Sequence, residues 1–356
     1  MTAKTKLLKG FIHQPLHIGR VKLPNRLILA PMAGITDAPF RFLAKRFGAG
    51  LVVSEMISAQ AVVFRNTKTL KMARPWRSEH PVAIQLFGHD PDVMAKAAGE
   101  MEAMGADLID INMGCPQRKI VRAGSGSALM NQPELAAKIV EYMQREVTVP
   151  VTVKIRLGWD ESSINAVEFA CLMAIAGASM ITVHGRTRSQ MFAGRADWKA
   201  ISLVKDAVDI PVVANGDVTD ISSAAECIKI SGADAVMIGR AALGRPWIFH
   251  EIIKGSTVGP EQKFNAILDH LTMLKEYYGP RTGTVLAKKH VCWYSHGLSN
   301  GAKFRQQVHQ IEDFERLKDF VEDFFTRAFA QSTLHNLSTS MLDNSTSMPS
   351  TSSLVS

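Results

Sequence analysis

Residues 150–184, PVTVKIRLGWDESSINAVEFACLMAIAGASMITVH, contain the repeating unit that decides the fold. Two short runs rich in Val and Ile, VTVKI at 151 and MITVH at 180, flank a helical segment that ends at Gly177. Glycine readily adopts the left-handed conformation that ends a helix, and runs that are apolar on both faces are typical of buried parallel strands. The stretch therefore predicts a strand, a crossover helix and a second parallel strand.

The same unit recurs over most of the chain, with helical segments between the strands, for example at 91–104, 133–146 and 221–231. The eight apolar runs are LILA at 27, LVVS at 51, VAIQL at 82, LIDIN at 108, VTVKI at 151, MITVH at 180, VVAN at 212 and AVMIG at 235. No glycine-rich dinucleotide fingerprint follows the first run, so an open doubly wound sheet is disfavoured. We predict an α/β fold, a (β/α)8 TIM barrel with a C-terminal helical domain.

The composition changes twice after the last strand. Amphipathic helical spacing replaces the strand pattern, and then the final 26 residues contain 13 Ser or Thr and no Lys or Arg. We predict four regions. They are an N-terminal arm at 1–18, the barrel at 19–255, a helical domain at 256–330 and a disordered Ser/Thr-rich tail at 331–356.

The net charge and the cysteine content indicate which kinds of partner and site the chain can have. The net charge of +8 suits an anionic partner. The four cysteines form no CxxC pair, and His290, Cys292 and His296 lack further metal partners, so we predict neither a disulfide framework nor a metal site. No stretch approaches the roughly 20 apolar residues of a membrane span. We therefore expect a cytoplasmic protein that does not enter a membrane.

Residues that are mostly polar, with a few glycines and small apolar residues among them, follow nearly every predicted strand, which is where TIM-barrel chemistry is located. They are Pro31, Met32, Ala33, Gly34, Glu55, Gln85, Asn112, Cys115, Lys154, Arg156, His184, Arg186, Asn215, Gly216, Asp217, Gly239 and Arg240. Charges at the ends of buried strands are costly unless they meet a ligand or each other. A structural ion-pair network of Glu55, Lys154 and Arg156 is therefore one interpretation, and a ligand site is the other.

Two glycine-containing turns follow the seventh and eighth strands, NGD at 215 and GRAALG at 239. This is the usual phosphate position of the barrel, where backbone N–H groups and Arg240 can bind an anion. Lys154 ends the fifth strand, where an ammonium can stabilise the negative charge of a reduced flavin, while Gln85 and His184 can hydrogen-bond the ring.

Cys115 lies on a Gly/Pro-containing loop, NMGCPQRKIVRAGSGSALM at 112–130, beside Arg118, Lys119 and Arg122. Loop cysteines near cations are reactive candidates. We expect these cations to lower the thiol pKa from its reference value of about 8.5, so that Cys115 donates a proton or attacks near neutral pH. Cys171 and Cys227 fall in apolar helical patterns and are expected to be inert core residues.

These motifs resemble the tRNA-dihydrouridine synthase family over residues 17–310, with most similarity to its bacterial B-type branch. The motifs are APMAGITDAPFR, SEMISAQ, QLFG, DINMGCP with RAGSGSALM, VKIRLGW, HGRTRSQMFAGRADW, VVANGDV and MIGRAALGRPWIF. One departure is Phe192, at a position where the family leads us to expect tyrosine.

The resemblance implies an FMN-dependent, NADPH-driven reduction of uridine in tRNA, with NADH as an alternative reductant. Flavin N5 would deliver hydride to C6 of uracil, and Cys115 would protonate C5 as the catalytic acid. The implied FMN contacts are Pro31, Met32, Ala33, Gln85, Lys154, His184, Asn215, Gly216, Asp217, Gly239 and Arg240. We further predict a monomer that binds tRNA through Asn112, Arg156, Arg186, Lys288, Lys289 and Arg305.

The helical domain supports an RNA partner, because residues 277–310 carry basic and aromatic side chains and no acidic residue. Two other functions stay open. An FMN barrel acting on a small pyrimidine or enone, similar to dihydroorotate dehydrogenases, explains Lys154 but not this domain. An RNA-binding protein with a vestigial barrel explains the charge but gives Cys115 and Lys154 no role.

Overall fold

The structure is a computed structural model that describes Leu8 and residues 10–345, with side chains described as far as Ala330. The chain divides into two compact units, the first ending at Thr257 and the second beginning at Val258.

Parallel strands close into a barrel in the first unit. Its strands are β3 (Leu27–Leu29), β4 (Leu51–Val53), β6 (Val82–Phe87), β7 (Leu108–Asn112), β8 (Val151–Arg156), β9 (Ile181–His184), β10 (Val212–Asn215) and β11 (Ala235–Ile238). The last strand pairs in parallel with the first, and β4 pairs with β6, so the sheet has no free edge there. The predicted TIM barrel is confirmed.

Two short elements were not predicted. The two-residue strand β5 (Ile57–Ser58) extends the sheet beside β6. An antiparallel hairpin of β1 (Leu16–Ile18) and β2 (Val21–Leu23) spans the boundary at residue 18 between the predicted N-terminal arm and the predicted barrel. Unlike the equally short Leu27–Leu29, each of these strands contains a polar residue, so none of them forms the continuous apolar run by which the barrel strands were recognised.

The hairpin closes one end of the barrel. Its side chains Leu16 and Leu23 belong to one buried cluster with Leu108, Met180 and Ala235, which lie at or just before the amino ends of their strands. Apolar burial of this kind is the main stabilising contribution to a core. The amino ends are therefore covered, and the carboxyl ends of the strands are the ones left to hold polar groups.

Helices separate the strands and cover the outside of the barrel. They are α1 (Ala38–Arg46), α2 (Ala59–Val63), α3 (Thr67–Ala73), α4 (Pro91–Ala103), α5 (Arg118–Arg122), α6 (Pro133–Glu146), α7 (Ala166–Ile175), α8 (Trp198–Ala207), α9 (Ile221–Ser231) and α10 (Ile248–Lys254). Local sequence sets their ends: Asp90 caps α4 by accepting from the N–H of Val93, and Gly232 ends α9 at φ +61°.

The second unit is helical, as the amphipathic pattern predicted. It contains α11 (Pro260–Tyr278), α12 (Pro280–Tyr294), α13 (Gly301–Val308) and α14 (Phe314–Ser345). The buried faces include Leu271 and Leu274 of α11, Val291 of α12 and Phe304 of α13.

The tail prediction needs correction. Helix α14 continues to Ser345, fifteen residues into the segment that was predicted to be disordered from Gln331. Composition averaged over the segment missed the spacing of Leu334, Leu337 and Met341, which suits a helix. The rest of the predicted tail, 346–356, lies outside the described residues. Among the helices that the structure describes, none is long and apolar enough to cross a membrane.

Candidate active site

The structure positions the predicted barrel residues at or just beyond the carboxyl ends of the strands. Pro31, Met32 and Ala33 follow β3, Gln85 lies in β6, Asn112 ends β7, Lys154 and Arg156 lie in β8, His184 ends β9, Asn215 ends β10, and Gly239 and Arg240 follow β11. Arg186, Gly216, Asp217 and Cys115 lie in the loops that continue from these strands. The three basic residues Lys288, Lys289 and Arg305 belong to the second unit.

Lys154 reaches across the mouth from β8 to β10. Its Nζ atom donates to Oδ1 of Asn215 at 3.0 Å, and the Asn215 amide is held in that orientation because its Nδ2 donates to the carbonyl of Met237 at 2.9 Å. Burial, together with repulsion from Arg156, lowers the pKa of Lys154 to about 8. An ammonium in such a position is stabilised by an anion, so the site favours a negatively charged ligand.

Cys115 is held by backbone contacts on both sides. Its N–H donates to Oδ1 of Asn112 at 2.9 Å, and its carbonyl accepts from the N–H of Ser127 at 3.1 Å and from the Ser127 hydroxyl at 3.0 Å. Gly126 adopts φ +64° directly against this loop. The GSGS run therefore supports the cysteine loop, a role that the sequence did not reveal.

The expected low pKa of Cys115 is wrong. Burial raises the pKa of the thiol, and the lowering effects of a backbone hydrogen bond and of Arg156 and Lys154 do not overcome it. The cations expected to act, Arg118, Lys119 and Arg122, belong to helix α5 and are not among the charges that lower this pKa. A thiol with a raised pKa keeps its proton at neutral pH, which suits an acid better than a nucleophile.

Arg156, predicted to bind substrate, is buried and donates to backbone carbonyls instead. Its Nε donates to the carbonyl of Gly114 at 2.9 Å, and its Nη1 donates to the carbonyls of Thr187 and Met191, each at 2.8 Å. One side chain thus connects the loop of Cys115 to the loop after β9. These bonds, like that of Lys154 to Asn215, end on neutral oxygens, so they give no support to the alternative of an ion-pair network of Glu55, Lys154 and Arg156.

Arg186, the second predicted substrate ligand, is likewise internal. Its Nη2 forms an ion pair with Asp217 at 2.6 Å and donates to the carbonyl of Gly194 at 2.7 Å. Arg240 approaches the same carboxylate at 3.4 Å. Burial raises the pKa of Asp217, but the hydrogen bonds donated by Arg186 and by the N–H of Ala196 outweigh it and lower the pKa. The carboxylate therefore stays ionised. Asp217 orders the two turns and neutralises part of their positive charge.

Two glycines shape the predicted phosphate turns. Gly216 has φ +121°, and a β-carbon there would lie 2.7 Å from Cβ of Ala196 and 3.1 Å from the His184 ring. At Gly239 the nearest atoms to such a carbon would be Cβ of Ala30 at 3.6 Å and Sδ of Met32 at 3.9 Å. The first turn needs glycine for its backbone conformation and packing, whereas the second has more space.

Phe192 lies among the charged groups of the mouth. Its ring is half exposed, with its centroid 6.4 Å from that of His184 and 5.0 Å from the guanidinium carbon of Arg240. Burial and the neighbouring cations hold the pKa of His184 far below its ordinary value, so its ring is neutral. The aromatic ring at the position expected to carry tyrosine provides a flat apolar surface with cations beside it.

The predicted basic residues of the second unit divide into two groups. Lys288 and Lys289 line a cavity of about 380 Å³ with Trp293, Cys292 and His309. Nζ of Lys289 lies 5.3 Å from the centroid of the Trp293 ring.

Arg305 instead faces its own unit, because its Nη1 approaches the Ser295 hydroxyl at 3.3 Å and the Ser295 carbonyl at 3.4 Å. Nζ of Lys288 likewise donates to the carbonyl of His309 at 3.1 Å, so what sets the two lysines apart from Arg305 is their position in the lining of the open cavity.

Comparison with known proteins gives a consistent result. A sequence profile described as dihydrouridine synthase matches residues 28–330. A probable tRNA-dihydrouridine synthase of Rickettsia conorii is 44% identical over 319 residues, which cover 87% of this chain and 96% of the relative. The tRNA-dihydrouridine synthase B of Pectobacterium carotovorum is 45% identical over 86% of this chain and 99% of its own length.

Solved structures support the fold at much lower identity. Histamine dehydrogenase from Rhizobium sp. 4-9 matches with a TM-score of 0.57 at 16% identity, covering 75% of this chain and 51% of that one. Morphinone reductase matches with a TM-score of 0.52 at 15% identity, covering 69% of this chain and 91% of that one. The profile and the relatives identify an enzyme, so a vestigial barrel is excluded. The chain belongs to the dihydrouridine synthase family of oxidoreductases.

Proposed function

We propose that this protein reduces the C5–C6 double bond of uridine in tRNA to give dihydrouridine, with FMN in the barrel mouth and NADPH as reductant. The observation that carries the proposal is the geometry of Cys115, whose loop is held by bonds to Asn112 and Ser127 and whose thiol, with a pKa raised by burial, lies within the electrostatic influence of Lys154. Family membership supplies the substrate class, because the curated relatives are named for this reaction on tRNA.

The residues at the mouth fit FMN in their charge and hydrogen-bonding chemistry. Lys154 would bind the pyrimidine edge of the ring, where negative charge accumulates on reduction, and Gln85 and His184 would lie beside it as neutral hydrogen-bonding groups. The phosphate would bind the turns at 215–217 and 239–240, where Arg240 is half exposed. Pro31, Met32 and Ala33 would line the ring. When bound, reduced FMN supplies the hydride that reaches C6 of uracil.

Cys115 would complete the reduction by giving its proton to C5. The S–H bond breaks as the C5–H bond forms, so the added hydride at C6 and the proton together balance the reduction and leave a thiolate. Arg156 and Lys154 would stabilise that thiolate, since both favour the charged form of Cys115. Water then returns the proton to Sγ.

The tRNA would be held mainly through its phosphates, and the target base must leave its stack to reach the barrel. Lys288 and Lys289 would contact the RNA backbone beside Trp293, on which a base can stack. Asn112, Arg156 and Arg186 would act through the loops that they order, because their side chains bond to other groups of the protein itself.

The proposal is tested by mixing the protein, FMN and limiting NADPH anaerobically, and then adding unmodified tRNA while the flavin absorbance is followed. We expect tRNA to reoxidise the flavin, whereas fully modified tRNA of the same sequence should not. Reoxidation by orotate or simple enones but not by tRNA would reject the proposal in favour of a small-molecule reductase.

A further inference from the structure

Asp110 is an acidic residue in the middle of a barrel strand. It lies in β7, is 2% exposed and forms no part of the proposed flavin or tRNA contacts. Its carboxylate accepts from the hydroxyl of Thr152 at 2.6 Å and from Nε2 of Gln85 at 2.7 Å. Burying a carboxylate is costly unless it is hydrogen-bonded, and these two bonds offset part of that cost.

The bonds continue from Asp110 toward the cysteine loop. Oε1 of Gln85 accepts from Nδ2 of Asn112 at 2.8 Å, and Oδ1 of Asn112 accepts from the N–H of Cys115 at 2.9 Å and from that of Gly114 at 3.2 Å. The side chains of Asp110, Gln85 and Asn112 thus form one chain of hydrogen bonds from the barrel interior to the backbone of Cys115.

The carboxylate of Asp110 determines which group donates and which group accepts in each hydrogen bond of this chain. An ionised carboxylate only accepts hydrogen bonds, so Gln85 must turn its NH₂ group toward Asp110 and its oxygen toward Asn112. Asn112 must then turn its own NH₂ group toward Gln85, which leaves Oδ1 for the N–H of Cys115. In the opposite direction two donors, the Asn112 amide and the Cys115 N–H, would face each other.

We propose that Asp110 is a positioning residue, which orients the amides of Gln85 and Asn112 and thereby holds the Cys115 loop in the geometry needed for proton donation. The importance of this geometry rests on the proposed function, but the orientation itself does not. Asp110 reaches Cys115 only through the two amides.

A neighbouring interior residue provides the contrast. Thr182 of β9 is as buried as Thr152, yet its hydroxyl is without a hydrogen-bond partner among the described residues. It shares size, strand environment and burial with Thr152 but not the bond to Asp110. Thr182→Val therefore perturbs the barrel interior without touching the chain of amides.

The test measures alkylation of each cysteine by iodoacetamide at neutral pH in the full-length protein, resolved by mass spectrometry of the cysteine peptides. The variants are Asp110→Asn, Thr182→Val and the double variant Asp110→Asn/Gln85→Glu. An asparagine at 110 can donate as well as accept, so the direction is lost. The double variant exchanges carboxylate and amide, and a carboxylate at 85 again only accepts from Asn112.

We expect iodoacetamide to alkylate Cys115 roughly fivefold faster in Asp110→Asn than in the unchanged protein. This factor corresponds to the loss of about one neutral hydrogen bond. The double variant should return the rate to near its original value, and Thr182→Val should not change it. Buried Cys227 serves as the internal reporter of general opening, and its rate should stay constant.

An unchanged Cys115 rate in Asp110→Asn, equal acceleration by Thr182→Val, or equal acceleration at Cys227 would overturn the proposal. If Asp110→Asn does not fold, the double variant decides alone, because a fast Cys115 in that variant rejects the directional role. None of these rates depends on turnover, so failure here is distinct from failure of the proposed reaction.

Discussion

Gly126 packs directly against Cys115: a β-carbon at Gly126 would lie 2.9 Å from the carbonyl oxygen of Cys115 and 3.1 Å from its Cβ. The backbone of Gly126 also adopts φ +64°, a conformation that side chains disfavour. The loop that carries the thiol therefore depends on the absence of a side chain beneath it.

Gly126→Ala should destabilise the protein and displace Cys115. The positive φ alone costs about 1 kcal/mol, and the clash should add about 1–3 kcal/mol. Gly232→Ala is the matched control, because Gly232 has φ +61° and its nearest neighbour would be Cγ of Lys205 at 4.0 Å. Urea unfolding should show the larger loss for Gly126→Ala, and equal losses would show that the contact with Cys115 is unimportant.

FMN affinity should fall as pH rises through about 8, because Lys154 loses its proton in that range. The acceptor atoms of the pyrimidine edge favour the charged form of Lys154, so above this pH binding must take up a proton, and affinity falls by up to tenfold per pH unit. Lys154→Met should bind FMN weakly with little pH dependence when followed by fluorescence titration.

Lys205→Met is the control for that titration, since Lys205 pairs with Asp234 just before β11 and not at the mouth. It should retain the pH dependence. A Lys154→Met protein with unchanged affinity at pH 7 would remove Lys154 from the flavin site.

The second unit should lose stability in acid because it contains two facing buried histidines. The rings of His270 and His290 lie 4.4 Å apart between centroids, and burial lowers the pKa of His270 to about 3 and that of His290 well below its ordinary value. The unfolded chain binds these protons first, so stability should fall from about pH 6.5 downward, by up to about 1.4 kcal/mol per pH unit for each histidine.

Denaturant unfolding of the unit at pH 7.5 and pH 5 measures this loss. His290→Phe should reduce the acid sensitivity, while His296→Gln, which changes an exposed histidine on the same unit, should leave it intact. Equal acid sensitivity in both variants would show that the buried pair is not responsible.

Removing the lysines that line the cavity of the second unit should weaken tRNA binding. Lys288→Ala/Lys289→Ala should lower affinity and reduce the salt dependence of log Kd by about 0.9 for each phosphate that the variant no longer neutralises. Filter binding at several salt concentrations checks both quantities. Lys318→Ala, on helix α14, is the control, and an unchanged salt slope in the double variant would place the RNA elsewhere.

The fold could be predicted from the sequence because each barrel strand is a short apolar run with its own turn. The runs that begin at Leu27 and Val151 are buried on both faces, and such runs carry a strong signal. The strands of the N-terminal hairpin and β5 are interrupted by polar residues and so contain no such run. The predicted end of helix α14 was too early because Ser and Thr dominate the composition beyond Gln331.

The location of the candidate residues at the barrel mouth could be predicted, but their environments could not. Neighbours in sequence suggested that cations lower the pKa of Cys115, whereas burial by residues distant in sequence raises it. Arg156 and Arg186 were predicted to bind tRNA because the sequence does not show which backbone carbonyls of the protein a long side chain will contact. Asp110 did leave a signal, as a single acidic residue inside the apolar run LIDIN.

The most direct test of the central claim, that Cys115 is the acid in the reduction of uridine, measures dihydrouridine by mass spectrometry. Initially unmodified tRNA is incubated anaerobically with FMN, NADPH and the unchanged protein or Cys115→Ala. Cys171→Ala is the control. We expect dihydrouridine from the unchanged protein and from Cys171→Ala. Cys115→Ala should still let NADPH reduce the flavin but should form product at least about 100-fold more slowly. Absence of dihydrouridine with the unchanged protein, or equal amounts with Cys115→Ala, would contradict the claim.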